Sequence, residues 1–369
     1  MLGRITALII KELQAVWQDK KSRAVLIVPP IIQLLAFSYA ATMEVRNVDL
    51  AVLNRDNGAE SRELIDRFVG SPTFARVHVH HSEAELARAI DEQEALVAVQ
   101  FGPEFSRELA QGHSAQMQLL LDGRRSNAAQ LVQGYLLAIV GQYNRELQEK
   151  LGYPPMPSTV VARSWFNPNL DYQWFTVPSL IGILTMLIGL VVTALSVARE
   201  RELGTFDQLL VSPLRPGEIL LGKTLPALII GWAEGTFILL AAVFFFRVPL
   251  TGSVPMLYVA MTAFLVSVIG VGLFVSSLCR TQQQAILGVF TFMSPAVLLS
   301  GFATPVENMP EWLQPITIIN PLKYFLIILK GVFLKDMPAD AVWANTVPLI
   351  LIAALTLGPA TWLFRRRLG

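Results

Sequence analysis

Residues 199–223 read RERELGTFDQLLVSPLRPGEILLGK and separate two long apolar runs, Phe175–Val197 and Thr224–Phe246. Each run has the roughly 20 residues that a helix needs to cross a bilayer. Three apolar side chains of the charged stretch recur at helical spacing: Phe206, Leu209 and Leu210. The pattern predicts a short amphipathic helix that lies at the membrane surface or docks on a soluble partner, followed by a break at Ser212-Pro213.

The composition is that of a polytopic membrane protein with one polar insert. The 369 residues are 53% hydrophobic and only 15% charged, with a mean hydropathy of +0.50. Charge is confined to a few segments, which is typical of loops between membrane spans. The formal net charge of +1 predicts no nucleic-acid partner, because nucleic-acid binders usually carry a basic stripe.

The apolar runs predict an α-helical membrane protein of about six spans. Residues 1–23 have one apolar face and predict an interfacial (elbow) helix, and residues 24–43 predict the first span, with Pro29-Pro30 inside it. The remaining spans fall within residues 172–369, roughly at Phe175–Val197, Thr224–Phe246, Pro255–Leu278, Ala285–Gly301 and Trp343–Phe364. Residues 198–223 form the charged loop, and the proline-rich residues 304–337 predict a re-entrant or surface segment.

Residues 44–171 have a different pattern and predict a small α/β domain inserted between the first two spans. Short runs of alternating residues predict strands at Val48–Leu53, Ala75–His80, Ala95–Phe101 and Gln116–Leu121. Helices are predicted between and after them, at Ala59–Val69, Ser82–Glu92, Pro103–Gln111 and Asn127–Leu151. Ser82 and Glu85 have the spacing of a capping box.

The distribution of Lys and Arg predicts the orientation. Basic residues near span ends fall mostly on one side: Arg4, Lys11, Lys20, Lys21, Arg23, Arg199, Arg201, Arg215, Lys223, Arg280 and Arg365 to Arg367. By the positive-inside rule, both termini and the 198–223 loop are cytoplasmic. The α/β insert is then periplasmic, outside a bacterial inner membrane, and residues 304–337 lie on the outer face.

Two stretches carry a family resemblance. Glu200 to Thr205, with Leu209-Leu210, Ser212-Pro213, Glu218 and Gly222-Lys223 after it, resembles the cytoplasmic loop of type-2 ABC transporter permeases. Ser300 to Pro321 resembles the outer-face segment of the same family, through Glu307, Asn308, Pro310, Asn320 and Pro321.

The resemblance implies a fold like that of type V ABC exporters and a loop that contacts an ATP-binding subunit. The residues expected to couple this chain to the ATPase are Arg199, Glu200, Glu202, Gly204 and Thr205. The simpler interpretation of these charges is an ordinary solvated inner loop. A generic loop needs only Lys and Arg, however, whereas this one alternates acids with bases and has an apolar stripe.

Gly217–Thr224 matches the phosphate-loop pattern G-x-x-x-x-G-K-[ST]. A working phosphate loop follows a buried strand, but this one follows Ser212-Pro213 and leads into a membrane span. Glu218 also places negative charge where phosphates would bind. We therefore expect Gly222 and Lys223 to begin a span, with Lys223 extending to the inner leaflet. No cofactor and no catalytic residue is predicted in this chain; ATP and Mg²⁺ are expected on a partner subunit.

Glu234 lies within the third predicted span, where a charge is costly and usually faces protein or a water-filled path. Two interpretations of Glu234 stay open. It is either a carboxylate on the cargo path, linked to a proton, or a glutamate in a helix contact, where Gly231 and Gly235 allow a neighbouring helix to come close.

His78, His80 and His81 share one predicted strand. No carboxylate or cysteine joins them at a ligand spacing, so surface histidines are expected and no metal site.

The leading hypothesis is the permease subunit of an ATP-driven ABC exporter that moves a drug, a lipid or a lipid-linked compound. Its implied partners are two cytoplasmic ATPase subunits, a second permease subunit (identical or a close paralogue) and membrane lipids. Family members with such inserts often work with a periplasmic adaptor and an outer-membrane channel. The alternative is a membrane-anchored receptor or scaffold whose α/β domain senses a ligand or organises an envelope complex.

Overall fold

The computed structural model describes residues 2–18, 20–39, 47–152, 164–204 and 216–366. The chain forms two compact units. One consists of Met1–Ala41 together with Arg163–Gly369, and the other is Thr42–Ala162. The second unit overlaps residues 44–171, the range predicted for the insert.

Two helices begin the chain, α1 (Leu2–Gln18) and α2 (Lys20–Tyr39). Pro29 and Pro30 both lie inside α2, which nevertheless continues as a helix on either side of them. The apolar part of α2, Leu26–Tyr39, is shorter than the roughly 20 residues needed for a full crossing. Residues 40–43 of the predicted first span lie outside the described part of the chain.

The second unit is an α/β domain. Its elements in chain order are β1 (Val48–Asn54), α3 (Ala59–Val69), β2 (Phe74–His80), α4 (Glu83–Asp91), β3 (Val97–Phe101), α5 (Phe105–Ala110), β4 (Met117–Leu121) and α6 (Ser126–Leu151). The strand order is β2-β1-β3-β4. Strand β1 pairs in parallel with β2 and β3, and β4 runs antiparallel to β3. Each predicted strand and helix of the insert overlaps an observed one.

Strand β1 organises this domain because both of its faces are buried. Leu50 and Val52 face one core, which α3, α5 and α6 cover with large side chains including Phe68. Ala51 and Leu53 face a second, smaller core covered by α4. The two faces alternate with the two-residue period of a strand. Ser82 caps α4 as predicted, because its side chain accepts a hydrogen bond from the Glu85 amide.

The described residues outside the α/β domain are mostly helical. In addition to α1 and α2, they form α7 (Tyr172–Glu202), α8 (Pro216–Leu240, continued by a π-turn at Ala241–Phe245), α9 (Val254–Leu278), α10 (Gln282–Leu298), α11 (Pro321–Leu334) and α12 (Ala339–Arg366). Within the described residues, four stretches are long and apolar enough to cross a membrane: Tyr172–Glu202, Gly217–Phe245, Val254–Leu278 and Ala339–Trp362. Helices α10 and α11 have 17 and 14 residues.

Helix α7 lies at the centre of the helical unit. Its most apolar stretch is 89% buried, whereas those of α8 and α12 are each 28% buried. A helix that is apolar on every side has no face to offer water and is stable only when protein or lipid surrounds it. Gly182 allows close packing on α11, since a Cβ there would meet Leu322 at 3.1 Å and Phe325 at 3.3 Å. The ring of Phe325 also stacks on that of Phe264 in α9, with centroids 4.4 Å apart.

The turn between β1 and α3 allows the packing of the α/β domain to be tested by mutation. Gly58 precedes α3, and a Cβ added there would overlap Ser106, whose hydroxyl accepts from the amides of Glu60 and Ser61. Gly58→Ala should therefore destabilise this domain by about 1–3 kcal/mol. Hydrogen exchange of the β1 and α3 amides in the full-length protein measures the loss.

The control is Gly102→Ala in the same domain, where a Cβ would meet nothing within 4 Å. This change should alter stability by less than about 0.5 kcal/mol. Equal exchange rates in the two variants would contradict the packing described at Gly58.

Candidate functional site

The four charged residues that begin the stretch between the two apolar runs, Arg199 to Glu202, form the last turn of α7. The helix continues through Arg199 to Glu202 and ends at Leu203, and Gly204 follows with a φ of +69°. A glycine in the left-handed region is a common way to end a helix, because it has no Cβ to clash. Thr205 and the predicted apolar stripe of residues 206–210 lie outside the described part of the chain.

Glu200 is not a solvated loop residue but a buried one, 8% exposed. Its Oε2 lies 2.6 Å from the Lys223 Nζ of α8, and its Oε1 lies 3.1 Å from the Lys11 Nζ of α1. The side chain of Lys223 is 4% exposed, whereas that of Lys11 is 56% exposed. One carboxylate at the end of α7 thus contacts two other helices, through one buried and one exposed cation.

Two further groups complete this cluster. The Lys223 Nζ lies 3.4 Å from Glu12 Oε1 in α1 and donates to the Ser196 hydroxyl in α7 at 3.1 Å. Ser196 in turn donates to the other Glu12 oxygen at 3.0 Å. We call Lys11, Glu12, Ser196, Glu200 and Lys223 the inner charge cluster. It joins α1, α7 and α8, with two acids facing two bases.

The prediction that Lys223 extends to the inner leaflet is wrong. Its ammonium group lies instead in the inner charge cluster, because two carboxylates from other helices are within 3.4 Å. Residues Gly217–Thr224 are helical throughout, within α8, rather than forming the loop of a phosphate-binding motif. Glu218 is buried in the first turn of that helix.

Arg201 was missed by sequence reasoning as a joining residue. Its guanidinium group donates to the carbonyl oxygens of Ser276, Ser277 and Cys279, at distances of 3.3, 2.9 and 2.9 Å. These carbonyls belong to the C-terminal end of α9, where the last turn of a helix leaves acceptors unpaired. A cation there also favours the negative end of the helix dipole. The only sequence signal is a basic residue in the last turn of α7.

Glu202 joins α7 to the start of α10. Its Oε2 accepts from the Gln282 backbone amide at 2.9 Å and from the Gln282 side chain at 3.2 Å. A carboxylate at a helix N-terminus satisfies an orphan amide and favours the positive end of the dipole. Glu202 itself is exposed, as are Leu203, at 64%, and Gly204. Arg199 is half-buried. Residues 202–204 thus form an exposed tip at the end of α7.

The predicted outer-face residues divide into exposed and structural ones. Glu307 and Asn308 are exposed in a 3-10 turn, and Pro310 is exposed nearby. Asn320 is 6% exposed; its Oδ1 accepts from the Leu322 amide and its Nδ2 donates to the Ala296 carbonyl at 2.7 Å. It therefore caps α11 and joins it to α10, while Pro321 occupies the first turn, where a missing N–H has no cost.

Glu234 is separate from the inner charge cluster. It lies in α8, and neither of its carboxylate oxygens has surface exposed or a hydrogen-bond partner among the described residues. Eleven residues of helix separate it from Lys223, or about 16 Å at 1.5 Å per residue.

Within the described residues no group of three His, Cys, Asp or Glu side chains could hold a metal ion.

Sequence comparison identifies the family. Residues 21–362 match the family described as "ABC-2 family transporter protein". The chain belongs to this family of ABC transporter permeases. It is 48% identical over 368 residues to the probable multidrug ABC transporter permease YbhR of Escherichia coli K12, covering 100% of both chains.

More distant relatives extend the match. The chain is 28% identical to the probable multidrug ABC transporter permease YbhS of E. coli K12, covering 99% of this chain and 97% of that one. It is 26% identical to the inner membrane transport permease YhhJ of the same organism, covering 100% and 98%. The membrane-spanning nature of the chain is supported by its family and by its four long apolar helices.

The two lysines of the inner charge cluster make a matched pair for mutation. Lys223→Met removes the cation 2.6 Å from Glu200 and leaves buried carboxylates without it, so a loss of about 3–5 kcal/mol is expected. Lys11→Met removes an exposed ion pair to the same carboxylate and should cost less than about 1 kcal/mol. Thermal unfolding of the purified chain, followed by tryptophan fluorescence, measures both.

The double variant Glu200→Gln/Lys223→Met removes both charges. It should unfold at a higher temperature than Lys223→Met alone, because it leaves fewer uncompensated buried charges. Equal midpoints for Lys11→Met and Lys223→Met would show that burial does not distinguish the two ion pairs.

Proposed function

We propose that this chain is the membrane-spanning permease subunit of an ATP-driven exporter in a bacterial inner membrane. It moves an amphipathic compound (a drug, a lipid or a lipid-linked molecule). ATP and Mg²⁺ are bound and hydrolysed by a separate cytoplasmic ABC ATPase subunit. The names of the relatives support the permease role, since two of those described above are called multidrug permeases.

The observation that carries the proposal is the exposed, charged tip of a buried central helix. Residues 202–204 stand at the end of α7, whose apolar length is surrounded by other helices. A partner that pushes on this tip acts on a helix with few ways to bend locally. Polar side chains of the same turn also contact four other helices: Glu200 contacts α1 and α8, Arg201 contacts α9, and Glu202 contacts α10. Displacement of the tip would therefore move several helices together.

This arrangement divides the predicted coupling residues into two roles. Glu202 and Gly204 are exposed and available to the ATPase subunit, together with Leu203. Glu200, which faces inward, transmits movement through the inner charge cluster rather than contacting the partner. Arg199 is half-buried and borders both regions.

Further partners belong to the same proposal. Helices α8 and α12 expose large apolar side chains, among them Phe237, Phe244, Leu351 and Leu355, which suit lipid or a second permease subunit. We propose a pair of permease subunits, identical or closely related, with both termini of each in the cytoplasm. The Thr42–Ala162 unit would lie in the periplasm and meet an adaptor and an outer-membrane channel. This placement is supported by the Lys and Arg distribution.

A single substitution at the tip tests the coupling role. Leu203→Asp places a charge on an apolar side chain that is 64% exposed, so the fold should be retained while the apolar contact with the ATPase is lost. We expect that the variant purified from its native membrane no longer carries the ATPase subunit, or that its rate of ATP-driven transport falls at least tenfold. Transport is measured as uptake of a fluorescent amphipathic dye into inside-out vesicles.

The matched control is Leu151→Asp, the same change at a residue 45% exposed in the other unit. It should leave both co-purification and uptake at the unmutated level. If Leu203→Asp also behaves like the unmutated chain, the tip of α7 is not the coupling surface. If the unmutated chain carries no ATPase subunit from its membrane, the exporter proposal itself is wrong.

A further inference from the structure

Glu234 is the one ionisable side chain of the four long apolar stretches, away from their ends, that no contact explains. Both of its carboxylate oxygens are closed off from the surface, and neither has a hydrogen-bond partner among the residues described. An ionised carboxylate in that position would lose its hydration and gain no donor in return, which is strongly disfavoured. Burying the neutral acid costs far less than burying the anion.

The helix contacts beside Glu234 are tight. A Cβ at Gly231 would lie 2.7 Å from Leu265 Cδ2, and one at Gly235 would lie 2.6 Å from Met261 Sδ and 3.2 Å from Thr185 Cγ2. Helix α8 thus packs closely against α9 at Gly231 and Gly235, and against α7 at Gly235, within one helical turn of Glu234.

Among the side chains that the structure describes, none on a neighbouring helix donates to Glu234. The described titratable groups of α8 and of the helices that pack on it are Arg4, Lys11, Glu12, Tyr172, Arg199, Glu200, Arg201, Glu202, Glu218, Lys223, Tyr258 and Asp340. All of these except Tyr258 lie near helix ends or in α1. Tyr258 is engaged with the Thr236 hydroxyl at 2.6 Å. The Thr185 hydroxyl donates to the Ile181 carbonyl in its own helix.

We propose that Glu234 is a proton-binding site that is occupied while α8 packs against α9 and is emptied when these helices separate. On separation, water reaches the carboxyl group, the O–H bond breaks, its electron pair stays on the carboxylate and the proton passes to water. Repacking takes a proton up again. The opening step rests on the proposed transport function, whereas the occupied state rests on the packing alone.

Infrared spectroscopy tests the occupied state directly. The full-length chain is reconstituted in lipid nanodiscs near neutral pH, and the spectrum of Glu234→Gln is subtracted from that of the unmutated protein. The difference should contain the carbonyl stretch of a protonated carboxylic acid, shifted by exchange into D₂O. The control is Glu311→Gln, which removes an exposed side chain and should give carboxylate bands only.

A difference spectrum for Glu234→Gln that contains carboxylate bands and no acid band would overturn the proposal. Glu234→Asp serves if the glutamine variant does not fold, because a retained acid should shift the band rather than remove it. If neither variant folds, the spectrum of the unmutated protein alone decides: absence of any protonated-acid band near neutral pH would overturn the proposal.

Transport tests the emptied state and separates this inference from the proposed function. Dye uptake per ATP hydrolysed by the unmutated chain should depend on pH, and the dependence should be lost in Glu234→Gln while ATP hydrolysis continues. A glutamine variant with an unchanged pH profile would overturn release on opening. If the unmutated chain transports nothing, the exporter proposal fails, whereas the infrared band still decides whether the site holds a proton.

Discussion

The buried ion pair between Lys223 and Glu200 is the contact on which the arrangement of the helical unit depends. Two charges that are 4% and 10% exposed have lost most of their hydration, and only good geometry offsets this loss. The 2.6 Å separation and the contacts of the Lys223 ammonium group to Glu12 and Ser196 help to offset the loss. Removing Lys223 takes the buried cation from Glu200, and removing Glu200 takes from Lys223 the nearer of the two carboxylates within 3.4 Å, so the pair favours one register of α7 and α8.

Exposed contacts to the same carboxylate act differently. Lys11 also reaches Glu200, at 3.1 Å, but its side chain is 56% exposed and water competes for it. Such a pair contributes little to stability and can break without a large penalty. Helix α1 is thus joined to the inner charge cluster in two ways: through the exposed Lys11 and through Glu12, whose side chain is 13% exposed and contacts Lys223 and Ser196.

Much of the architecture follows from sequence because it is set by local chemistry. The insert's strands and helices were predicted from alternation and from the Ser82–Glu85 cap, and the long spans from apolar length. The buried state of Glu200 could not be predicted, since its partner Lys11 is 189 residues away and a run of four charges indicates a solvated loop. The prediction for Lys223 was wrong for the same reason, because one of the carboxylates that it contacts, Glu12, is 211 residues away in the sequence. The three carbonyls bound by Arg201 carry no side-chain signal at all.

Two buried carboxylates on neighbouring helices illustrate how pairing decides what a charge does. Glu200 forms an ion pair with a lysine ammonium group 2.6 Å away, and such a contact suits the transmission of force. Glu234 has no donor among the described residues, so its chemical state depends on whether its surroundings stay closed. Helix α8 connects the two sites, because it carries both Lys223 and Glu234, about 16 Å apart. Movement passed through the fixed pair at Lys223 would then be felt at Glu234 as a change in packing, which is the condition for a proton to leave.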